Sequence, residues 1–143
     1  MSTILVTGGA GSMGRLVVGN LLEHGHTVRV FDLPTVNYEG LEGEPRVEIA
    51  RGDLTNPSDV GNACGGVDAI AHLAAILPPV AEAKPELTRH VNIDGTRVVV
   101  EAALTKSPSA RLVLSSSVSV YGDTTPQADE ITVHREANPD DVY

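Results

Sequence analysis

Basic residues, cysteine and long apolar runs are all scarce in this 143-residue sequence. Ten Lys and Arg stand against nineteen Asp and Glu, giving a formal net charge of −9 and a pI near 4.8. Nucleic acid and anionic membrane surfaces would be repelled by such a chain, which argues against both as partners. A single cysteine, Cys64, excludes an internal disulfide. It is expected to be a half-buried free thiol near a helix end. No apolar stretch approaches the ~20 residues that a membrane-spanning helix needs. Met1-Ser2-Thr3 runs straight into an apolar segment, so a signal peptide is not expected. No His/Cys/Asp cluster suggests a metal. Internal repeats and low-complexity tracts are absent too. These absences lead to the expectation of a cytoplasmic protein without a metal centre.

Glycine is plentiful, and its placement is informative. Thr7-Gly8-Gly9-Ala10-Gly11-Ser12-Met13-Gly14 follows the apolar run Ile4-Leu5-Val6 and precedes a helical pattern from Arg15 to Glu23. The order is strand, glycine turn, helix. Gly9, Gly11 and Gly14 match G-x-G-x-x-G, whose glycines allow a tight turn, close approach to a pyrophosphate and close helix–strand packing. The helix N-terminus adds free N–H groups and the positive end of its dipole. A second strand, Thr27 to Phe31, ends in Asp32, 18 residues after Gly14. An acid there is placed to hydrogen-bond the ribose of a bound dinucleotide. A solvated Asp in a purely structural βαβ unit is the plainer alternative.

The length fits one domain with a substantial core. Short β-branched runs alternate with helical stretches, which predicts an α/β fold with a parallel sheet. Strands are expected near residues 3–7, 27–32, 46–50, 67–72 and 110–115, and helices near 12–24, 57–64 and 85–106. The expected architecture is an open doubly wound Rossmann sheet of order 3-2-1-4-5 with right-handed crossovers, truncated before its last strands. In the long helix, Leu87, Val91, Val98 and Ala102 share one face. Val99, Val100, Ala103 and Leu104 widen the apolar surface, either as a broad core stripe or as a contact for a partner subunit or a missing part of the chain. From Gly122 onward the sequence turns acidic and proline-bearing, which reads as a surface segment following the fifth strand.

Four further landmarks line up: Gly52-Asp53-Leu54 after the third strand, His72-Leu73-Ala74-Ala75 at the end of the fourth, Asn92-Ile93-Asp94-Gly95-Thr96 in the long helix, and Ser115-Ser116-Ser117-Val118-Ser119-Val120-Tyr121-Gly122 at the end of the fifth. With Thr7-Gly8-x-x-Gly11-x-x-Gly14 the set resembles the extended short-chain dehydrogenase/reductase family, the NAD-dependent epimerase/dehydratase group. The resemblance covers nearly the whole chain. It implies that Gly8, Gly11, Ser12, Met13 and Gly14 line the pyrophosphate of NAD. Asp32 would bind the adenosine ribose and disfavour a 2′-phosphate. Asp53 and Leu54 would meet the adenine. Leu73, Ala74 and Ala75 would form the floor beneath the cofactor, which Ser115 would also border. Asn92 would steady the active-site backbone and a water. Ser117 matches the family's catalytic Ser. Tyr143, 26 residues later, matches its catalytic Tyr, a general acid/base working while hydride moves to or from the nicotinamide. His72 is expected to be a hydrogen-bonded structural His, and Tyr121 to pack.

Three departures from the pattern bear on function. The family's Lys, four residues after the Tyr, is absent, as are the last strands and the substrate domain. A Tyr has an ordinary pKa of about 10, and a neighbouring α-carboxylate disfavours its phenolate. The expectation is therefore an incomplete cofactor domain over residues 1–143, itself inactive, belonging to a longer enzyme that forms homodimers. Family dehydratases carry Asp-Glu after the Ser, where Val118 and Ser119 stand here, so dehydration is not expected. Epimerases often have aromatic residues before the helix Asn, where Arg89 and His90 stand. The resemblance thus implies an NAD-dependent oxidoreductase or epimerase acting on a secondary alcohol or ketone. The small-molecule substrate would be a nucleotide sugar or related metabolite, although Ile76-Leu77-Pro78-Pro79-Val80 would also suit a less polar carbonyl. A non-catalytic, redox-sensing dinucleotide-binding module is the competing reading.

Overall fold

A computed structural model describes residues 1–121; the acidic segment 122–143, Tyr143 included, lies outside the described residues. The elements run β1 (Thr3–Thr7), α1 (Ser12–Glu23), β2 (Thr27–Asp32), β3 (Val47–Arg51), α2 (Pro57–Cys64), β4 (Ala69–His72), α3 (Val80–Ala83), α4 (Pro85–Arg89), a π-helical turn (His90–Gly95), α5 (Thr96–Lys106), β5 (Arg111–Leu114) and a 3-10 turn (Val118–Tyr121). All five strands are parallel, in the order β3-β2-β1-β4-β5, as expected for a Rossmann sheet.

Register decides what meets at the carboxyl edge. Thr7 pairs with Phe31 on one side and His72 on the other. Asp32 pairs with Arg51, and His72 with Leu114. The ends of the strands therefore present a row of chemically distinct side chains where a ligand binds in folds of this kind.

Alternation along each strand sends side chains to opposite faces. Leu5, Phe31 and Ile70 pack with Val60, Ala63, Cys64, Val99, Ala102 and Ala103 of α2 and α5. Val6, Val28 and Val30 pack with Val18 of α1 and with Tyr38 and Leu41 of the loop after β2. Such two-sided burial explains why the strands read as continuous apolar runs. The expectation of a half-buried Cys64 is corrected: its side chain is fully buried, because α2 turns that face onto α5. Burial pushes its thiol above the ordinary value, only partly offset by Arg29. The edge strand β5 leaves Val113 and Leu114 about half exposed among the described residues.

The helix expected over 85–106 follows that path, but its middle turn is π-helical, and the short helix α3 precedes it unpredicted. A π turn carries one extra residue per turn and shifts the face that follows. The buried residues are accordingly Thr88, Gly95, Val99, Ala102 and Ala103. Leu87, grouped by period with Val91, Val98 and Ala102 on one helix face, is 45% exposed, whereas Ala102 is buried.

Leu5, with no exposed surface, and Leu16, 70% exposed on α1, make a clear contrast. Leu5→Ala should cost about 2–5 kcal/mol in urea denaturation. Leu16→Ala should stay within about 0.5 kcal/mol.

Candidate functional site

The glycine turn is built by contacts between backbone atoms. Gly8 N–H donates to the Phe31 carbonyl at 2.9 Å, and Gly11 N–H to the Gly8 carbonyl at 3.1 Å. Gly8 has φ +70°, and a side chain there would also press on the Ala74 backbone. Gly14 lies so close to the turn that a Cβ would overlap the Gly8 carbonyl oxygen and Gly9 Cα. Helix α1 begins at Ser12, and the preceding Gly11 offers it no side-chain cap; its first turn carries no acid. Its first N–H groups thus remain open to an anionic ligand.

Asp32 is oriented from two sides. Its Oδ2 accepts from Ala10 N–H at 3.1 Å and its Oδ1 from Leu33 N–H at 2.9 Å. The Tyr38 hydroxyl donates to the carbonyls of Asp32 and Leu33 at 2.9 and 3.0 Å. Burial, and then the Asp32 charge, push that phenol's pKa up, so it stays a donor. In the next loop Asp53 N–H donates to Asp59 Oδ2 of α2 at 3.0 Å. Asp53 Oδ1 accepts from the N–H and hydroxyl of Thr55, both at 2.8 Å, which hold its carboxyl below the usual range. Leu54 packs against Gly95 of the π turn so tightly that a Cβ at Gly95 would strike it.

His72 lies at the centre of a buried chain of hydrogen bonds. The Thr96 hydroxyl donates to the Asn92 carbonyl at 2.6 Å. With its proton committed, Thr96 Oγ1 accepts from His72 Nε2–H at 3.0 Å. His72 Nδ1 then accepts from the Thr7 hydroxyl at 2.6 Å. Thr7 Oγ1 in turn accepts from the N–H groups of Leu73 and Ala74 at 3.2 and 3.3 Å. Each atom is satisfied only by the neutral Nε2–H tautomer. Burial likewise holds the imidazole below its ordinary pKa of 6.5. His72 is thus structural, as expected. Asn92 Oδ1 accepts from Ile76 N–H at 2.8 Å while its Nδ2 donates to the Ile76 carbonyl at 3.0 Å. Its amide steadies the backbone beyond the floor segment.

Two adjoining cavities open along the carboxyl edge. The larger, about 660 Å³, is bordered by the glycine turn (Gly8, Gly11, Ser12, Met13, Gly14), by Asp32, by Asp53 and Leu54, and by Leu73, Ala74 and Ala75. The second, about 440 Å³, shares Met13, Leu73, Ala74 and Ala75 with the first and adds Asn92, Ser115 and Ser117. Every candidate site residue among those described therefore borders the trough that these two adjoining cavities form. Ser117 Oγ contacts Ser119 Oγ and accepts from Ser119 N–H, both at 3.2 Å, so part of its bonding capacity is spent locally. Leu77, from the apolar stretch expected to suit a less polar substrate, also lines the larger cavity, together with Leu33, Val36, Leu87 and Val91, which were not anticipated. Nothing in their local pattern marks a ligand; the fold-back of one loop and the π turn bring them there.

A family model described as NAD dependent epimerase/dehydratase matches residues 4–143. The chain belongs to that family. The motif-based resemblance is thereby borne out. Over 126 residues the chain is 37% identical to a 3-beta-hydroxysteroid dehydrogenase of Mycolicibacterium neoaurum, covering 84% of this chain and 33% of that protein. It is 39% identical over 115 residues to the decarboxylating sterol-4-alpha-carboxylate 3-dehydrogenase of Mus musculus, covering 80% and 30%. Among solved structures, a short-chain dehydrogenase/reductase superfamily protein from Agrobacterium tumefaciens with bound NAD superposes with a TM-score of 0.81 at 34% identity, covering 99% of this chain and 40% of that one. The Thermus thermophilus UDP-glucose 4-epimerase complex with NAD gives 0.85 at 28% identity, covering 99% and 46%. The chain thus spans about a third of these curated relatives. NAD is the family's cofactor, and the trough fits it: an uncapped helix start, a side-chain-free cradle and an oriented carboxylate occur together. Among the described residues no group of His, Cys, Asp and Glu could hold a metal, and no helix is long and apolar enough to cross a membrane.

Two outcomes follow. Gly14→Ala should abolish NAD binding in calorimetric titration, because the added methyl must force α1 away from the turn. For His72, the unfolded chain takes up a proton near 6.5 and the folded chain only at lower pH. Its contribution to stability is therefore complete above about pH 6.5 and is lost as the pH falls through the folded value. The urea midpoint should drop between about pH 7 and 5, and His72→Gln should flatten that slope.

Proposed function

We propose that this chain is the cofactor-binding part of a longer NAD-dependent enzyme that oxidises or reduces a secondary alcohol or ketone, as a dehydrogenase or an epimerase. The observation that carries the reading is that two adjoining cavities, sharing Met13, Leu73, Ala74 and Ala75, are lined by Asp32 and the glycine turn at one end and by Asn92 and Ser117 at the other. Gly8, Gly11, Ser12, Met13 and Gly14 would hold the pyrophosphate. Asp32 would accept from the ribose hydroxyls, and Asp53 and Leu54 would border the adenine. Leu73, Ala74, Ala75 and Ser115 would support the nicotinamide half. When bound, NAD supplies a hydride acceptor or donor. Ser117 would hydrogen-bond the substrate oxygen, and Tyr143 would take or give the proton of that oxygen. Asn92 would act through Ile76 by fixing the trough wall.

A nucleotide sugar or related metabolite remains the first reading of the substrate. A second reading, a bulky apolar alcohol, is favoured by the exposed side chains of Met13, Leu77 and Leu87 along the trough. It is also favoured by the similarity to 3-beta-hydroxysteroid and sterol dehydrogenases. The full-length enzyme is proposed to be a homodimer.

The test is turnover by the full-length protein, read as NADH formation with 3β-hydroxysteroids and as both NADH formation and formation of the epimer with UDP-sugars, since an epimerase returns the hydride and leaves no net NADH. Turnover of one class selects the substrate; NAD binding without turnover of any alcohol would favour the redox-sensing module. Tyr143→Phe should lower kcat by about 10²–10⁴-fold and Ser117→Ala should lower it as well, both with NAD affinity retained. Asp32→Ala should weaken NAD by about tenfold, roughly 1.4 kcal/mol, and narrow its preference over NADP. Equal affinity of the unmutated protein for both cofactors would remove the ribose role of Asp32.

A further inference from the structure

Arg15, the residue after the last glycine of the turn, directs three donors at three backbone carbonyls in two separate loops. Its Nε donates to Ala10 O at 2.9 Å, Nη1 to Glu39 O at 2.7 Å and Nη2 to Asn37 O at 2.5 Å. Ala10 belongs to the glycine turn, and its own N–H is the donor to Asp32 Oδ2. Asn37 and Glu39 belong to the segment between β2 and β3, which has no helix or strand of its own. That segment contributes Leu33 and Val36 to the wall of the larger cavity, and Val36 directly precedes Asn37. On its far side it is tied by the Tyr38 hydroxyl to Asp32 and Leu33, and by Arg51 stacked 4.7 Å above the Tyr38 ring.

We propose that Arg15 is a positioning residue for the adenosine half of the cofactor: its guanidinium pins the 33–40 segment to the glycine turn, so that Val36, Leu33 and Asp32 are in place before the cofactor arrives. Arg15 does not itself touch the cofactor in this scheme. The planar fork of a guanidinium supplies donors in fixed divergent directions, which three carbonyls on two loops require. A lysine would keep the charge and most of the stem but would not reproduce that fork. An unpinned segment must be ordered at the moment of binding, and affinity falls by that ordering cost.

The proposal rests on reading the trough as an NAD site. Calorimetric titration of the full-length protein with AMP, which reports the adenosine half alone, and with NAD tests both. Arg15→Lys and Arg15→Met should raise the Kd for AMP and for NAD by the same factor, about tenfold. KM for NAD should rise in step, with kcat at saturating NAD within about twofold of the unmutated enzyme. A folded Arg15→Lys protein with unchanged AMP affinity would overturn the clamp while leaving the NAD site standing. A loss seen with NAD but not with AMP would overturn it as well. Failure of the unmutated protein to bind either AMP or NAD would overturn both the site and the clamp. Circular dichroism establishes folding, and Arg15→Lys decides the matter if Arg15→Met does not fold.

Discussion

The close approach of helix α1 to the turn that precedes it is the contact on which the whole site depends. Because Gly14 and Gly8 meet without a side chain between them, the start of α1 lies directly over the carboxyl end of β1. From there its N–H groups open into the trough, Ala10 reaches Asp32, and Arg15 reaches the segment beyond β2. On the other side of β1, the Thr7 hydroxyl ties the same turn to His72 and to the floor at Leu73 and Ala74. One backbone contact thus fixes both halves of the trough relative to each other.

The strands and their order were legible in the sequence because parallel strands buried on both faces must be apolar throughout, and glycine, Asp and His punctuate their ends. Gly8 and Asp32 were legible from that order, whereas Asn92 and Ser117 were singled out through the family resemblance. Less legible was the path of the long helix. A 3.6-residue period was read straight through residues 85–106, yet the turn at His90–Gly95 is wider. Its stabilising contacts are non-local: Leu54 seated on Gly95, and the Asn92 side chain spanning to Ile76. A window along the chain carries no sign of either. The segment after β2 hides its role in a similar way. Tyr38 reads as one more loop residue until its hydroxyl is seen to bridge two carbonyls at the end of the strand.

Much of the scarce positive charge is spent on the backbone. Arg29 donates to the carbonyls of Ala63 and Gly65 at the end of α2, and Arg46 to that of Leu22 near the end of α1. Arginine at such positions satisfies carbonyls that a helix leaves open and opposes the negative end of its dipole. Together with Arg15, these residues tie loops and helix ends to one another through backbone carbonyls.

The burial of Cys64 gives the protein an internal reporter. This sole thiol is sealed between α2 and α5, and its sulfur is held protonated. An alkylating reagent can reach it only when those two helices part. The rate of its labelling therefore counts the openings of that layer in the unmodified chain, and it does so on the face of the sheet opposite α1.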